Sequence, residues 1–459
     1  MNFDTIVALS TGQGGAISVI RLSGADSITI TDKIFSSING KKLVEKKGNS
    51  ATFGVINDEE GETIDEVVVT LFRSPRSYTG EDIVEISCHA SSYIVQRIIE
   101  LIIENGARIA EPGEFTQRAY LAGKLDLIQA EAVADIIASN SAASHRMALN
   151  QIKGGYSQEF KELRDELLHL VSMLELELDF GEEDVEFADR KGLTLLLDKI
   201  NNKLDRLISS FKYGNAMKNG VPTAIVGEPN AGKSTLLNRF LGEERAIVSH
   251  IAGTTRDSIE ECITLGGVLF RFIDTAGIRT TSDHVEALGI ERTFKKIKEA
   301  DLIILLIDAT SIEPLISIGE ISPDQNQTVI VAINKSDLAD SNQIDIIENS
   351  IAQKFGYKTF NISAKENKDV EQIENFLAND YTKSLKSEQI AISNLRHLEL
   401  LKKAYDTSTR AYNLLQTSAP TDLIATDARQ TITHISSIIG EITPDDILGN
   451  IFSKFCIGK

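Results

Sequence analysis

Hydrophobic and polar positions change their spacing three times along the chain, and each change predicts a different kind of domain. Up to about residue 115, strand-like stretches alternate with helix-like ones. GGAISVIRLSG (14–24) and DEVVVTLFRSP (65–75) are rich in β-branched residues and bounded by turn formers. Apolar residues between Tyr93 and Gly106 recur at helical spacing. This part of the chain is predicted to be an α+β domain.

The spacing becomes helical from about 118 to 212, and again after about 385. Leucine-rich stripes cover 163–178 and 197–211, and a further stripe follows residue 398. Neither helical block has an obvious partner for its stripe within itself. One helical domain, interrupted by an inserted domain, is therefore predicted.

Between the two helical blocks, short apolar strands alternate with helical patterns, which is typical of a parallel sheet. The predicted segments are an N-terminal α+β domain (1–117), the first part of the helical domain (118–214), an inserted α/β domain (215–380) and the second part of the helical domain (381–459).

Composition and charge narrow the class of protein. The chain is 42% apolar and 25% charged, as in a globular protein, and its net charge of −20 argues against a protein that coats nucleic acid. A local basic site, or a partner that supplies the basic surface, stays compatible with that charge. Apolar runs are too short for a membrane span, and the start has no signal-peptide pattern. Three scattered cysteines fit neither a disulfide framework nor a zinc site, which predicts the cytoplasm.

The inserted segment opens with TAIVGEPNAGKST (223–235), a phosphate-binding loop of the form G-x-x-x-x-G-K-[ST] between an apolar strand and a helix. Backbone N–H groups of such a loop surround the phosphates, Lys233 reaches the outer phosphates and Ser234 reaches Mg²⁺. The predicted binding residues are Asn230, Ala231, Gly232, Lys233, Ser234 and Thr235.

Three further stretches follow in order, each after a predicted strand: DTAG (274–277), NKSD (334–337) and SAK (363–365). Asp274 can hold the metal through water, and Gly277 can meet the γ-phosphate. The Asp337 carboxylate can accept both N1–H and the exocyclic amine of guanine. The order predicts a Ras-like guanine-nucleotide domain whose further contacts are Asp274, Thr275, Ala276, Gly277, Asn334, Lys335, Ser336, Asp337, Ser363, Ala364 and Lys365.

The residue after DTAG is Ile278, where Ras-like switches carry the glutamine that orients the attacking water. An isoleucine side chain cannot hydrogen-bond. Either another residue orients the water, or GTP hydrolysis is very slow. Glu286 is the predicted catalytic substitute; the alternative is a solvated carboxylate at a helix start.

The chain resembles the MnmE (TrmE) family of tRNA-modifying GTPases over essentially its full length. The matching stretches are DTIVALST, GAISVIRLSG, SYTGEDIVEISCHA (77–90), EPGEFTQRAYLAGKLDLIQAEAVADII (111–137), GEPNAGKSTLLN, AIVSHIAGTTRD (246–257), DTAGIR, GIER and the final FCIGK. This resemblance implies a multidomain fold: an α+β folate-binding domain that dimerises, a split all-α domain and an inserted Ras-like P-loop GTPase domain.

The resemblance also implies partners and cofactors. With an FAD-dependent partner of the MnmG type, the homodimer would add an aminomethyl or carboxymethylaminomethyl group to carbon 5 of the wobble uridine of certain tRNAs. The one-carbon donor would be a tetrahydrofolate derivative, such as the 5-formyl or 5,10-methylene form. Carried over by motif, the folate contacts are Arg21, Glu85, Lys124 and Lys459.

Family members also bind K⁺, which the resemblance places at Asn230 and the loop 249–254. The corresponding GTP-binding residues are Ser249, His250, Ile251, Ala252, Gly253, Thr254 and Thr255. Carbonyls of this loop, at Ser249, Ile251 and Thr254, would complete the K⁺ shell. Thr255 would be the second Mg²⁺ ligand after Ser234.

Two stretches depart from the family pattern. STGQGGAI stands where the family has A-T-P-P-G-R-G-A-I, so two prolines and an arginine are missing. SCHASSYIV lacks the usual glycine pattern after histidine, and His89 is therefore interpreted as structural.

The final CIGK puts a cysteine fourth from the end, as in a prenylation signal. Gly458 and Lys459 do not fit such a signal, which favours a tail beside the folate site. Cys456 is a candidate catalytic nucleophile whose thiolate a neighbouring Lys454 would favour. A buried structural cysteine is the alternative.

Two other functions stay open at this point. One is a purely regulatory switch, and the other is a ribosome-assembly GTPase, since those also replace the catalytic glutamine by an apolar residue. The folate motifs and FCIGK count against both.

Overall fold

The fold comes from a computed structural model. It describes residues 4–12, 14–180, 190–245, 261–273, 297–311, 323–324, 327–387, 391–417, 419–442, 445–453 and 455–458. They divide into two compact units, the first made of 1–138, 148–201 and 403–459 and the second of 139–147 and 202–402.

The first unit contains a seven-stranded sheet of order β3-β4-β5-β6-β2-β1-β7. Neighbouring strands are antiparallel except β1 and β7, which are parallel. The strands are β1 (Ile6–Leu9), β2 (Ile17–Ser23), β3 (Phe35–Ser37), β4 (Ser50–Asn57), β5 (Thr63–Phe72), β6 (Ile83–His89) and β7 (Arg108–Ile109).

Two helices, α1 (Ser27–Ile34) and α2 (Ser92–Glu104), pack on one face of this sheet. Residues of β5 alternate, so Val67 and Val69 are buried in the core while Val68 is exposed. The helix predicted between Tyr93 and Gly106 is confirmed as α2.

Further helices before the inserted sheet include α3 (Glu114–Leu121), α4 (Leu127–Ala138), α5 (Ala142–Ile152), α6 (Gly155–Phe180) and α7 (Arg190–Ser209). Those after it are α12 (Leu395–Gln416), α13 (Thr421–Ile439) and α14 (Asp445–Phe452). Leu174 of α6, Leu197 of α7, Leu415 of α12 and Ala425 of α13 belong to one core cluster, so both helical blocks share a core. Across the described residues, no helix combines the length and apolar character needed to cross a bilayer.

The second unit is built on a six-stranded sheet of order β13-β12-β11-β8-β10-β9, parallel except for the pair β9 and β10. Its strands are β8 (Val221–Gly227), β9 (Glu261–Leu265), β10 (Val268–Phe272), β11 (Leu302–Asp308), β12 (Thr328–Asn334) and β13 (Lys358–Asn361). Its helices include α8 (Phe211–Asn219), α9 (Lys233–Arg245), α10 (Ser341–Lys354) and α11 (Val370–Ser387).

Both faces of this sheet are covered, as β11 shows. Ile304 joins one core cluster, while its neighbours Ile303 and Leu305 join another. A continuously apolar strand is expected where helices cover both faces of a parallel sheet. The predicted fold class is confirmed: an N-terminal α+β part, a helical part and an inserted α/β P-loop part. The boundaries at 117, 214 and 380 stay predictions.

Candidate nucleotide and folate sites

The phosphate-binding loop follows β8 at the carboxyl end of the parallel sheet and leads into α9, the position where open α/β sheets bind ligands. Both glycines of the motif are required by close approach of other atoms. A Cβ on Gly227 would lie 2.2 Å from the carbonyl oxygen of Leu306, and one on Gly232 would lie 2.3 Å from Nδ2 of Asn334. Gly232 also has a φ of +100°, which side chains rarely adopt.

The lysine of the loop lies over the loop itself. Nζ of Lys233 donates hydrogen bonds to the carbonyl oxygens of Gly227 and Glu228, both at 2.8 Å. Ser234 is exposed in the first turn of α9, and Asn230 is exposed with a left-handed φ of +67°. These positions put a cation, a hydroxyl and the positive end of a helix at one place, as phosphate and Mg²⁺ require.

Asn334, at the end of β12, joins the phosphate-binding loop to the SAK stretch. Its Nδ2 donates to the carbonyl oxygen of Ala231 at 2.7 Å, and its Oδ1 accepts from the N–H of Ala364 at 2.9 Å. Asn334 is buried. Asn334 therefore joins three predicted motifs through partners that lie 103 and 30 residues away along the chain.

The next residue, Lys335, has a φ of +62° and donates from Nζ to Oδ2 of Asp308 at 2.5 Å. Burial would raise the pKa of the Asp308 carboxyl, but hydrogen bonds from Lys335 and Thr310 outweigh it, and the pKa is lowered. The lowered pKa favours the ionised form of Asp308, and this carboxylate fixes the position of the Lys335 ammonium group. Asp337, two residues on, is exposed, as a carboxylate that reads a base must be.

The SAK stretch is held by its neighbours. The N–H of Ser336 donates to the carbonyl oxygen of Ile362 at 3.2 Å, so the NKSD and SAK loops lie side by side. Ser363 accepts a hydrogen bond at its hydroxyl from the N–H of Glu366. Arg239 of α9 donates from Nε to the carbonyl oxygen of Ala364 at 2.9 Å and from Nη2 to that of Lys365 at 2.6 Å. The sequence carries no signal for this arginine, because its partners are main-chain atoms 125 and 126 residues away.

Several predicted site residues lie outside the described residues. They are Ser249, His250, Ile251, Ala252, Gly253, Thr254, Thr255, Asp274, Thr275, Ala276, Gly277, Ile278, Glu286, Lys454 and Lys459. Of the predicted metal ligands, Ser234 and Asn230 lie in the described part, where both residues are exposed. Their side-chain oxygens are hard ligands of the kind that Mg²⁺ and K⁺ prefer.

In the N-terminal sheet, Arg21 and Glu85 lie opposite each other on β2 and β6. Nε and Nη2 of Arg21 approach Oε1 of Glu85 at 2.9 and 2.8 Å. The guanidinium carbon also lies 5.8 Å from the ring centres of both Tyr78 and Phe115. A cation paired with a carboxylate and flanked by two rings can face a flat heterocycle with donors and acceptors on its edge.

The end of the chain packs against the start of it. A Cβ on Gly458 would lie 2.2 Å from the carbonyl oxygen of Leu9, and the Ser10 hydroxyl donates to the carbonyl oxygen of Gly458 at 3.2 Å. Leu9 of β1 pairs with Ile20, the neighbour of Arg21, so the tail lies beside the Arg21 strand. The tail therefore packs on β1, and its place beside a folate site stays a prediction.

The other residues of this region occupy distinct positions. Lys124 donates from Nζ to the carbonyl oxygen of Pro75 at 2.5 Å, three residues before Tyr78. Cys456 is exposed, so the alternative of a buried structural cysteine is wrong. Nδ1 of His89 forms a hydrogen bond of 2.7 Å with Oδ1 of buried Asp65. The main-chain N–H of His89 donates to the other oxygen of that carboxylate. These bonds close the end of β6, in keeping with a structural role.

Sequence analysis missed a buried arginine, Arg118, on the helix that carries Phe115. Phe115 belongs to the Arg21 cluster, which consists of Arg21, Glu85, Tyr78 and Phe115. Arg118 of α3 donates to Glu81 from Nη1 at 3.2 Å, to Glu114 from Nη2 at 2.8 Å and to Asp4 from Nη2 at 3.1 Å. Only 3% of its side chain is exposed. Since Phe115 lies on the same helix, this arginine fixes the helix that carries one ring of the Arg21 cluster.

Comparison with known proteins gives concordant matches. The family model described as "GTP-binding protein TrmE N-terminus" matches residues 5–124, and the one described as "MnmE helical domain" matches residues 127–456. The chain is 50% identical over its full length to the whole "tRNA modification GTPase MnmE" of Bacteroides thetaiotaomicron, and 48% identical to that of Flavobacterium johnsoniae, again over 100% of both chains. The solved FeoB G-domain of Methanococcus jannaschii covers 35% of this chain at 23% identity and a TM-score of 0.26, with 98% of that domain aligned.

Proposed function

The chain belongs to the MnmE (TrmE) family of tRNA modification GTPases, and from this premise we propose that it hydrolyses GTP as part of wobble-uridine modification in tRNA. The hydrogen bonds of Asn334 are the observation that supports GTP binding and hydrolysis most directly. This residue joins the phosphate-binding loop to SAK and precedes the exposed Asp337 by three residues. The residues proposed to bind the base and those proposed to bind the phosphates thereby lie together at the strand ends.

Hydrolysis requires that the attacking water be oriented and that charge on the phosphates be neutralised. Lys233 supplies one fixed positive charge. Ser234 and Thr255 would hold Mg²⁺, while Asn230 with the carbonyls of Ser249, Ile251 and Thr254 would hold K⁺. Because Ile278 cannot hydrogen-bond, Glu286 is proposed to orient the water. K⁺ stimulation is part of this proposal.

The second site is proposed to bind a tetrahydrofolate derivative, the 5-formyl or 5,10-methylene form, which supplies the one-carbon unit when bound. Glu85 can accept from pterin donors, and Arg21, Lys124 and Lys459 can meet the carboxylates of the folate tail. The Arg21–Glu85 pair and the packed tail at Gly458 support this assignment. The exposed thiol of Cys456 is proposed as the nucleophile of this site.

We propose a homodimer that works with an FAD-dependent partner of the MnmG type in the cytoplasm. The sheet face opposite α1 and α2 carries exposed apolar side chains, which support the dimer. Phe53 pairs with Val68 there, and Ile17 is 64% exposed. The net charge of −20 supports a partner that supplies basic surface for tRNA. Three free cysteines support a reducing compartment.

Nucleoside analysis of bulk tRNA tests the modification. A deletion strain should lose the C5-substituted wobble uridine, and the wild-type gene should restore it. Lys233→Ala should fail to restore it because the outer phosphates lose their lysine, whereas Lys354→Ala, which removes an exposed charge at the end of α10, should restore it fully. Unchanged wobble uridines in the deletion strain would contradict the proposal. Accumulated ribosomal precursors with normal tRNA would favour a ribosome-assembly GTPase instead.

Folate binding tests the second site. Equilibrium binding of 5-formyltetrahydrofolate should weaken by about tenfold or more in Arg21→Ala and in a chain truncated before Cys456, because each removes a charge-assisted contact. GTP binding should not change in either. Arg97→Ala, on α2 and paired with Glu100, is the matched control and should bind folate normally. Normal folate binding by both test variants would show that the altered STGQGG loop accompanies a lost or relocated site.

A further inference from the structure

Arg239 binds the SAK stretch in a way that constrains its backbone rather than its side chains. Its guanidinium donates from two nitrogens to two consecutive carbonyl oxygens, those of Ala364 and Lys365. A planar fork with two parallel donors holds its acceptors in a fixed orientation, which a single flexible donor cannot do. Two successive peptide units of this loop are therefore oriented from α9.

The first of these peptide units has one group fixed and the other pointing away. It contains the carbonyl of Ala364, held by Nε of Arg239, and the N–H of Lys365. Because a trans peptide is planar with its C=O and N–H on opposite sides, the N–H of Lys365 points away from α9. Within the described residues, this N–H is bonded to no protein acceptor.

The N–H groups on either side of Lys365 are already used. That of Ala364 donates to Oδ1 of Asn334, and that of Glu366 donates to the hydroxyl of Ser363. The NKSD loop, with Asp337, lies beside this loop through the bond from Ser336 to Ile362. Of the main-chain donors at these three consecutive residues, Lys365 alone is left for a ligand.

Guanine needs such a donor. The Asp337 carboxylate can accept from N1–H and the exocyclic amine, but it cannot satisfy the 6-oxo group, which is an acceptor. We propose that Arg239 is a positioning residue for purine recognition, which aims the N–H of Lys365 at the 6-oxo group of the bound nucleotide. This inference rests on the proposed guanine site and adds a specificity-determining residue to it.

The test compares GDP with 2-aminopurine riboside 5′-diphosphate, which keeps the phosphates and the 2-amino group but lacks the 6-oxo group and, with it, the proton on N1. The wild type should therefore bind this nucleotide more weakly than GDP, and the test is the further change that each Arg239 variant causes. Calorimetry on the full chain should show that Arg239→Ala weakens GDP binding about tenfold, in the range expected for one misaligned hydrogen bond, and leaves the 2-aminopurine nucleotide unchanged. Arg239→Lys should fall between, since an ammonium can hold one carbonyl.

Two controls accompany these variants. Lys354→Ala removes the same charge from an exposed position on the same unit and should bind both nucleotides like the wild type. Asp337→Asn should shift preference towards xanthosine diphosphate, whose carbonyl replaces the exocyclic amine, and so reports on the base site independently of Arg239.

Equal weakening of both nucleotides in Arg239→Ala would overturn the inference, because it would mean that the arginine supports the phosphate loop. So would unchanged GDP binding. If Arg239→Ala does not fold, Arg239→Lys decides, since it must lower GDP affinity without affecting the 2-aminopurine nucleotide. A wild-type protein that does not prefer GDP over that nucleotide would contradict the guanine site itself.

Discussion

Replacing Glu286 by alanine should lower the kcat of GTP hydrolysis by about 10²-fold or more, with little change in GTP affinity. Ile278 cannot orient the attacking water, and an oriented water is needed only in the transition state. A group that acts there changes kcat far more than binding. Steady-state hydrolysis and equilibrium nucleotide binding, measured on the same preparations, separate the two quantities.

Asp283→Ala is the matched control, because it removes the same charge three residues earlier in TTSDHVEALGIER. It should hydrolyse GTP at close to the wild-type rate. Hydrolysis should also be faster in K⁺ than in Na⁺ at equal ionic strength, since K⁺ is proposed to neutralise developing charge on the phosphates. Equal rates in the two salts, or normal turnover by Glu286→Ala, would exclude this mechanism.

Replacing Arg118 by alanine should destabilise the N-terminal sheet by about 3–5 kcal/mol, the cost of leaving buried charges without their partner. Glu81 would then lose its cation and Glu114 would keep only Arg108, so the helix that carries Phe115 would be held less firmly. Hydrogen exchange of peptides from β1 and β2 measures this locally. Protection should fall by about 10²-fold or more, and folate affinity should fall with it.

Arg108→Ala is the control, because Arg108 contacts the carboxylates of Asp4 and Glu114 but is 44% exposed. It should cost about 1 kcal/mol or less, as exposed pairs do. A cost equal to that of Arg118→Ala would show that burial does not determine the strength of this network.

The same network predicts a pH dependence. Burial would raise the pKa of the Glu114 carboxyl, but hydrogen bonds from Arg108, Glu111 and Arg118 lower it below its ordinary value. A carboxyl with a lowered pKa in the folded state contributes stability above its unfolded pKa, and that contribution is lost as the pH falls through the folded pKa. The difference between wild type and Arg118→Ala should therefore narrow as the solution is acidified below about pH 4.

Local patterns in the sequence were sufficient to predict the fold class correctly and to propose the residues of the nucleotide site. A phosphate-binding loop needs glycines, a lysine and a helix start within a dozen residues, so Gly227 to Thr235 could be read directly. The strands β8, β11 and β12 are largely apolar, which indicates a sheet covered on both faces. The family motifs likewise lie within short stretches.

The tertiary structure alone decided which distant residues support these sites. Arg239 holds carbonyl oxygens 125 residues away, Gly458 packs on Leu9, and Arg118 bonds to the carbonyl oxygen of Asp4, 114 residues earlier. Such contacts depend on strand register and on how helices pack, and many sequences with the same polar and apolar pattern would not form them. A main-chain acceptor also leaves no trace in the sequence, because every residue carries one. The motifs could therefore be predicted from local chemistry, whereas the residues that hold them in place could be found only after the chain had folded.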